Sequence, residues 1–246
     1  MNKTGKGYEE NILSRIFECD GTEVEFGIGQ SLSLKDYLAG DLLLIKSGSA
    51  RLIINEDNRP KTLIKLSAGD FVGVCSNLRG DSCEEVRASE KIKALSLSAE
   101  KFKNIYAENQ KLKDFCDHQM WDAELADLIS RLLNNLPFKK SYSLRHCLEI
   151  IKPIATLIHS NDQKSYSQIE KDSTLFIASK VSTNSIGVQI KSYEEINSLI
   201  NEKSTFPIRL ISIKLDKYSN IYDYILNKSK IDINNDLQGE RIEKAK

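Results

Sequence analysis

The sequence has 246 residues, and its 35 basic and 35 acidic side chains give a formal net charge of zero. This balance excludes a protein whose surface is dominated by a basic field for nucleic acid or membranes. The five cysteines are irregularly spaced, which favours thiols in a reducing compartment over a disulfide framework. No apolar run approaches the roughly 20 residues of a membrane span, and residues 1–20 lack the apolar core of a signal peptide. We therefore expect a cytoplasmic protein that does not bind nucleic acid.

The first 100 residues are dominated by strand patterns. After an amphipathic helix predicted over Tyr8–Glu18, short strands are predicted over Glu23–Phe26 and Ser31–Leu34. Three apolar runs follow, separated by a Ser-Gly turn and a polar turn, and Ile92–Leu97 alternates in the manner of a strand. The three runs are Leu42–Ile45, Ala50–Ile54 and Leu63–Leu66. This part of the chain predicts a small β-roll.

The order of these strands, together with the string Gly69-Asp70-Phe71-Val72-Gly73, resembles the cyclic-nucleotide-binding domain. In that family a phosphate cassette begins at the position of Phe71 and Gly73. The resemblance covers about residues 20–137 and implies a double-stranded β-helix, or jelly roll, with an N-terminal helix and a long C-helix. The fold class that we predict is therefore mainly β with helices (α+β), followed by a small α/β region.

The cassette departs from the family at two places. Members that bind cyclic AMP or GMP have a Glu for the ribose hydroxyl where this sequence has Val74. They have an Arg for the cyclic phosphate where this sequence reads Ser82-Cys83-Glu84-Glu85. Losing the guanidinium and adding negative charge should each disfavour phosphate binding by about 1–3 kcal/mol. We expect the fold to be kept and cyclic nucleotides not to bind. The candidate ligand pocket is this degenerate cassette: Phe71, Gly73, Val74, Cys75, Ser82, Cys83 and Glu84.

A second resemblance concerns the N-terminal module of cyanobacterial ABC exporters that secrete peptides or toxins. It rests on Leu78-Arg79-Gly80, on Cys83-Glu84, and on Phe206–Ile211, which is similar to the stretch that follows the module there. The resemblance implies a membrane exporter as partner, fused or separate, and a place at the inner face of the membrane. The exporter's ATPase and peptidase would lie outside this sequence.

The roll is followed by helices. Ser98 is expected to cap one helix, and a long helix is predicted over Asn109–Asn135, with a leucine stripe that is a candidate homodimer contact. A further helix is predicted over Leu144–His159, with a kink near Pro153. The stripe consists of Leu125, Leu128 and Leu132.

The end of the chain has a mixed pattern. Strands are predicted over Thr174–Val181, Ile186–Ile190 and Ile208–Lys214, and short helices over Tyr193–Asn201 and Ile221–Lys228. We predict a domain over 1–137, a connecting helix over 138–160, a small α/β domain over 161–229 and a disordered tail over 230–246.

No catalytic, metal or cofactor site is predicted. The Cys116-x-His118 and His146-Cys147 pairs have no zinc-finger spacing. Acidic residues within 122–127 form a charge-rich helix face of the kind that normally meets solvent. A lone Trp121 in this region is typical of a core or interface. Phosphate-loop, nucleophile-elbow and HExxH motifs are absent from the sequence, so we expect no enzyme.

Two functions fit these observations. The first is a non-catalytic regulatory or docking domain that passes a signal or a contact to an exporter. The alternative is a transcription regulator of the cyclic-AMP-receptor type that senses a small ligand. Residues 160–230 favour the first, because they are strand-rich and lack a basic recognition helix after a glycine turn.

Overall fold

The computed structural model describes residues 12–56, 59–134, 143–161, 173–181, 186–191, 194–195, 205–216, 218 and 220–229. The helices are α1 (Ile12–Asp20), α2 (Val74–Arg79), α3 (Ala99–Glu108), α4 (Gln110–His118), α5 (Asp122–Asn134), α6 (Leu144–Ile151) and α7 (221–229), with a 3-10 turn at Lys152–Ile154. The strands are β1 (Thr22–Phe26), β2 (Ser31–Ser33), β3 (Asp41–Ser47), β4 (Ala50–Glu56), β5 (Arg59–Leu66), β6 (Phe71–Val72), β7 (Val86–Ala88), β8 (Ile92–Ser98), β9 (Ala155–His159), β10 (Ser173–Ile177), β11 (Gln189–Ile190) and β12 (Arg209–Lys214). The predicted α+β class is confirmed.

Two antiparallel sheets form the β-roll, with strand orders β1-β8-β3-β6 and β2-β7-β4-β5. The strands predicted for this part of the chain are confirmed, and Ser98 caps α3 by accepting a hydrogen bond from the Lys101 N–H. The turn between β3 and β4 requires glycine, because Gly48 has a φ of +87° and a Cβ there would collide with the Lys91 carbonyl oxygen. Glycine therefore lets the chain pass from β3 in one sheet to β4 in the other close to the backbone of Lys91.

A third antiparallel sheet, in the order β11-β10-β12-β9, lies beyond the roll. The strands predicted near β10, β11 and β12 are confirmed, but the helix prediction over Leu144–His159 is wrong in its second half. Helix α6 ends at Ile151, Pro153 lies in the 3-10 turn, and the chain then continues as β9. Proline has no N–H for the helix ladder, and the residues after it instead pair with β12, where Ile158 faces Leu210. The division into domains stays a prediction.

The single long helix predicted over Asn109–Asn135 is also wrong, because the structure has α4 and α5 with a break between them. Gln119 has extended backbone angles, with a φ of −82° and a ψ of +112°, and ends α4. In the leucine stripe of α5, Leu125 and Leu128 are fully buried within the single chain, whereas Leu132 is partly exposed. A homodimer through this stripe stays a prediction.

The roll and the third sheet share one hydrophobic core. The largest cluster joins residues of the roll, such as Leu52 and Val86, to Leu128 on α5 and to Phe176 and Ile211 in the third sheet. A second cluster holds α1, α3 and α4 against the other face of the roll. Among the described residues, no helix combines the length and the apolarity needed to cross a membrane. Most of the helix predicted over 193–201, the predicted tail from residue 231, and residues 8–11 of the first helix lie outside the described residues.

Candidate functional site

The cassette is a short strand, β6, that turns into the six-residue helix α2. Gly73 allows this turn, because its φ of +83° is in the left-handed region that side chains with a Cβ avoid. Asn77 secures the turn, since its amide group donates to the carbonyl oxygens of Gly73 and Ala39. Every residue of α2 is buried. The cassette is therefore a rigid internal element.

Glu84 occupies the entrance to this helix. Its side chain is buried, and its Oε2 accepts a hydrogen bond of 2.5 Å from the Gly73 N–H. Burial raises the pKa of Glu84 to about 7, although the Gly73 N–H and the Arg79 guanidinium both act to lower it. The first backbone donor of the cassette is thus bound to a carboxylate of the same chain.

Two thiols lie next to this carboxylate. The Sγ atoms of Cys75, on α2, and Cys83, before β7, are 3.6 Å apart. The Ser76 hydroxyl lies 3.5 Å from the Cys83 Sγ and also accepts a hydrogen bond from the Cys83 N–H. Burial raises the pKa of Cys75 well above its ordinary value, and the neighbouring Cys83 raises it further. The Cys75 thiol is therefore protonated in the absence of a ligand.

Arg79 ends helix α2 and is 1% exposed. Its Nη2 donates to the Asp127 Oδ2 at 2.8 Å, and the same oxygen accepts from Arg131, which also pairs with Asp81. The Arg79 carbonyl oxygen accepts a hydrogen bond from the Lys180 N–H, after β10. This chain of contacts ties the cassette helix to α5 and to the third sheet.

A second buried ion pair joins α5 to the third sheet. Arg209, at the start of β12, donates to both carboxylate oxygens of Glu124, at 2.6 and 2.9 Å. Two further N–H groups donate to the carbonyl oxygens of Cys116 and Gln119 at the end of α4. The guanidinium therefore fills the break between α4 and α5.

These two pairs correct the interpretation of the acidic helix face. Glu124 is fully buried and Asp127 is 6% exposed, so neither meets solvent, whereas Asp122 is partly exposed and pairs with Lys152. The pattern of α5 did not reveal this, because the two arginines that neutralise the carboxylates come from distant segments.

An open cleft of about 360 Å³ lies between the roll and the start of α5. Its apolar wall includes Leu52, Ile64 and Trp121, and Phe71 lines it with its ring centre 6.3 Å from that of Trp121. The ionisable residues of the cleft are Lys65, Asp70, Glu84, Asp122 and Lys152. Three carboxyl groups face two amines here, so the cleft has no excess of positive charge with which to attract an anion.

The two cysteine and histidine pairs of the sequence, Cys116-x-His118 and His146-Cys147, lie in different surroundings. Cys116 is buried in the second cluster. The ring of His118 packs edge-on against that of His159, with the ring centres 5.3 Å apart. His146 hydrogen-bonds the Ser229 hydroxyl at 2.9 Å. Among the described residues, none of these side chains belongs to a group of three converging metal donors.

The cassette and the strands around it match a known family. The family model described as "Cyclic nucleotide-binding domain" matches residues 23–109. These residues form a cyclic-nucleotide-binding-like domain. It comprises the β-roll from Glu23 onward and helix α3.

Solved structures were also compared with the whole chain. The catabolite activator protein of Thermus thermophilus is 21% identical, with a TM-score of 0.38, over 53% of this chain and 57% of that one. A transcriptional regulator from Thermotoga maritima is 19% identical, with a TM-score of 0.37, over 42% of this chain and 82% of that one. The regulatory subunit of a cAMP-independent protein kinase A from Trypanosoma cruzi, bound to guanosine, is 17% identical, with a TM-score of 0.31, over 38% of this chain and 37% of that one. This chain thus covers about two fifths of the first structures that it matches. A search among curated proteins found no match.

The seven residues predicted for the pocket of the cyclic-nucleotide-binding-like domain take different positions. Phe71 and Glu84 line the cleft. Val74 is 1% exposed and packs in the second cluster, so its side chain is not part of the cleft wall. The other four do not line this cleft: Gly73, Cys75, Ser82 and Cys83. Their part in ligand binding stays a prediction.

Sequence reasoning missed the two arginines that organise the site. In the sequence, Arg79 is near the cassette but not at the position of the family's phosphate-binding Arg, and Arg209 lies in a predicted strand, so neither was expected to pair with a carboxylate of α5. Each is an arginine within an otherwise apolar or small-residue segment, Leu78-Arg79-Gly80 and Ile208-Arg209-Leu210. An arginine in such a segment indicates a buried ion pair, because an unpaired charge is almost never buried.

Proposed function

We propose that this chain is a non-catalytic regulatory domain whose cyclic-nucleotide cassette is closed by its own side chains. The observation that carries the proposal is the hydrogen bond from the Gly73 N–H to the Glu84 carboxylate. A phosphate would need this donor, and it would have to approach the carboxylate of Glu84, which is only 5% exposed.

The charges around the cassette support the same proposal. Arg79 is on the cassette helix itself, but its Nη2 is bound to Asp127 in a pair that is buried on both sides. Moving this guanidinium to a phosphate would leave Asp127 with Arg131 alone, in a buried environment where an uncompensated charge is costly. The donor at Gly73 and the guanidinium of Arg79 are therefore each already held by a carboxylate of this chain.

Titration calorimetry of the purified chain with cyclic AMP and cyclic GMP tests this proposal. We expect no binding at micromolar concentration. The matched variants are Glu84→Ala, which releases the Gly73 N–H, and Glu85→Ala, which removes only a carboxylate that pairs with Arg87 on the surface. Any gain in affinity should appear in Glu84→Ala alone. Tight binding by the unmodified chain would contradict the proposal, and equal behaviour of the two variants would remove Glu84 from it.

We propose further that the regulated partner is a membrane exporter of peptides or toxins, fused to this chain or separate. The support is the resemblance of Leu78-Arg79-Gly80, Cys83-Glu84 and Phe206–Ile211 to the exporter module. The reading frame and its neighbours in the genome are the test. A transmembrane region and an ATPase in the same frame, or in an adjacent one, are expected. A gene without either would contradict the exporter link.

A homodimer through the stripe of Leu125, Leu128 and Leu132 is also proposed, and Leu132 is the member of the stripe that is exposed enough to contact a second copy. Light scattering of the purified chain measures it directly. Because Leu132 is the partly exposed member of the stripe, Leu132→Lys should reduce the measured mass from dimer to monomer. A monomeric unmodified chain would contradict the dimer.

A further inference from the structure

Three side chains with metal-binding atoms converge inside the cassette. The three donor atoms all lie within 4.8 Å of one another: the Sγ atoms of Cys75 and Cys83 and one carboxylate oxygen of Glu84. All three residues are buried, at 0, 8 and 5% exposure. They come from two elements, because Cys75 belongs to α2, whereas Cys83 and Glu84 precede β7. Their convergence is therefore a product of the fold.

From this geometry we propose that Cys75, Cys83 and Glu84 bind a thiophilic divalent cation, Zn²⁺. The proposal goes beyond the regulatory function above and is independent of whether a nucleotide binds. Spacing within the sequence did not predict the site, because the three residues match no zinc-finger pattern.

The distance between the sulfur atoms fits this cation. Two thiolates at the usual Zn–S distance of about 2.3 Å, with a tetrahedral angle between them, lie about 3.8 Å apart. The observed separation is 3.6 Å. A disulfide needs about 2.05 Å, so the side chains are already spaced for a metal between them and would have to move to form a covalent bond.

The carboxylate has an oxygen available for the third position. Glu84 Oε2 is held by the Gly73 N–H. Its other oxygen, Oε1, makes no hydrogen bond within the described part of the chain. Glu84 also lines the cleft of about 360 Å³. The cleft supplies a route for the ion and leaves the fourth tetrahedral position to a water molecule, as in zinc sites with three protein ligands.

The choice of Zn²⁺ follows from the donors and from the local charge. Two thiolates select a borderline or soft cation over Mg²⁺ or Ca²⁺, which prefer oxygen ligands. Two thiolates, a carboxylate and a dication sum to a net charge of −1. Arg79 lies on the same helix as Cys75, and its Nε and Nη1 are buried without a hydrogen-bond partner among the described residues. A guanidinium beside the site offsets the remaining negative charge.

The expected consequence is a bridge between α2 and the segment before β7. The ion would displace the two thiol protons on binding and fix the cassette in the conformation described above. Since only the folded chain brings the three donors together, Zn²⁺ should stabilise the folded state in proportion to the logarithm of its free concentration.

The experiment uses the full chain, purified with a phosphine reductant and stripped of metal with a chelator. Titration with Zn²⁺ against a chromogenic chelator should give one ion per chain. Titration with Co²⁺ should give the charge-transfer absorption of thiolate ligands. Cys75→Ser and Cys83→Ser should each weaken binding by more than about 100-fold, because they remove a direct ligand and not merely a surrounding residue. Glu84→Gln, which keeps the shape of the side chain, should weaken it by about 10-fold.

Two matched controls separate this site from binding at other thiols. Cys19→Ser removes an exposed cysteine, and Cys116→Ser removes a buried one in the second cluster. Both should bind Zn²⁺ as the unmodified chain does. Absence of stoichiometric binding by the reduced chain would overturn the proposal. Unchanged Zn²⁺ binding in Glu84→Gln and in both cassette cysteine variants would also overturn it. Loss of Zn²⁺ binding in Cys19→Ser would do the same. Circular dichroism identifies a variant that fails to fold. If a cysteine variant fails to fold, the Zn²⁺ affinity of Glu84→Gln decides whether the cassette is the binding site.

Discussion

Replacing Arg209 by methionine tests whether the buried ion pair holds the third sheet against the helices. The guanidinium makes two hydrogen bonds to the Glu124 carboxylate and one to each of two carbonyl oxygens, those of Cys116 and Gln119. Methionine fills much of the same volume but donates none of these bonds. The substitution therefore isolates the loss of charge and hydrogen bonding from the loss of packing.

The expected loss of stability follows from what remains buried. Glu124 has no exposed surface, and removing one partner of such a pair costs about 3–5 kcal/mol. The two carbonyl oxygens add about 1 kcal/mol each where no water replaces the lost donor. We expect Arg209→Met to lower the free energy of unfolding by about 5–7 kcal/mol, which approaches the whole stability of a typical domain.

Urea denaturation followed by circular dichroism measures this loss, and a double-mutant cycle identifies its cause. In Arg209→Met with Glu124→Leu, the unpaired carboxylate is gone. The double variant should therefore be more stable than the sum of the two single losses predicts, by about 2–3 kcal/mol. The control is Lys46→Met, which breaks an exposed pair with Glu18 and should cost less than about 1 kcal/mol. A loss below about 1 kcal/mol for Arg209→Met, or strict additivity in the cycle, would refute this reasoning.

Two further predictions concern the roll. Because burial raises the pKa of Glu84 from 4.5 to about 7, the folded state binds this proton more tightly than the unfolded state, so with a chelator present the free energy of unfolding should fall as the pH rises from about 4.5 to about 7. This slope should be smaller in Glu84→Gln than in Glu85→Gln, and an equal slope in both variants would assign the pH dependence to other groups. Gly48→Ala should lower the free energy of unfolding by more than about 1 kcal/mol, because the turn needs a positive φ and a Cβ would collide with the Lys91 carbonyl oxygen. Gly40→Ala, where no atom lies within 4 Å of the new Cβ, is its control in thermal melts, and equal melting temperatures for the two variants would count against the steric argument.

The strands of the roll follow from the sequence itself. Apolar runs broken by glycine turns specify β3, β4 and β5 because side-chain alternation and positive φ are properties of a few adjacent residues. The Ser98 cap of α3 is local for the same reason, since the hydroxyl and the N–H that it accepts from are three residues apart. The match of the cassette strings to the cyclic-nucleotide-binding family is likewise carried by short segments.

The break between α4 and α5 and the strand β9 after α6 were decided by tertiary contacts. Local helical periodicity runs through both places, but the Gln119 carbonyl oxygen is bound by Arg209, from a segment 90 residues further on. Residues 155–159 form a strand because they pair with β12, and the sequence around them does not indicate that partner. Such contacts override the helix propensity of a short segment, because burial and strand pairing contribute more free energy than the local preference does.

The candidate site shows the same division. Its residue types can be read from the sequence, and the replacement of the cassette Arg and Glu predicts that cyclic phosphates are not bound. The sequence does not indicate which groups surround each charged side chain in the folded protein. Glu124 and Asp127 look like a solvated helix face until Arg209 and Arg79, 85 and 48 residues away in the chain, are placed against them. A carboxylate is stable in water by itself but is stable inside a protein only with a partner, and which distant residue becomes that partner is decided when the chain folds.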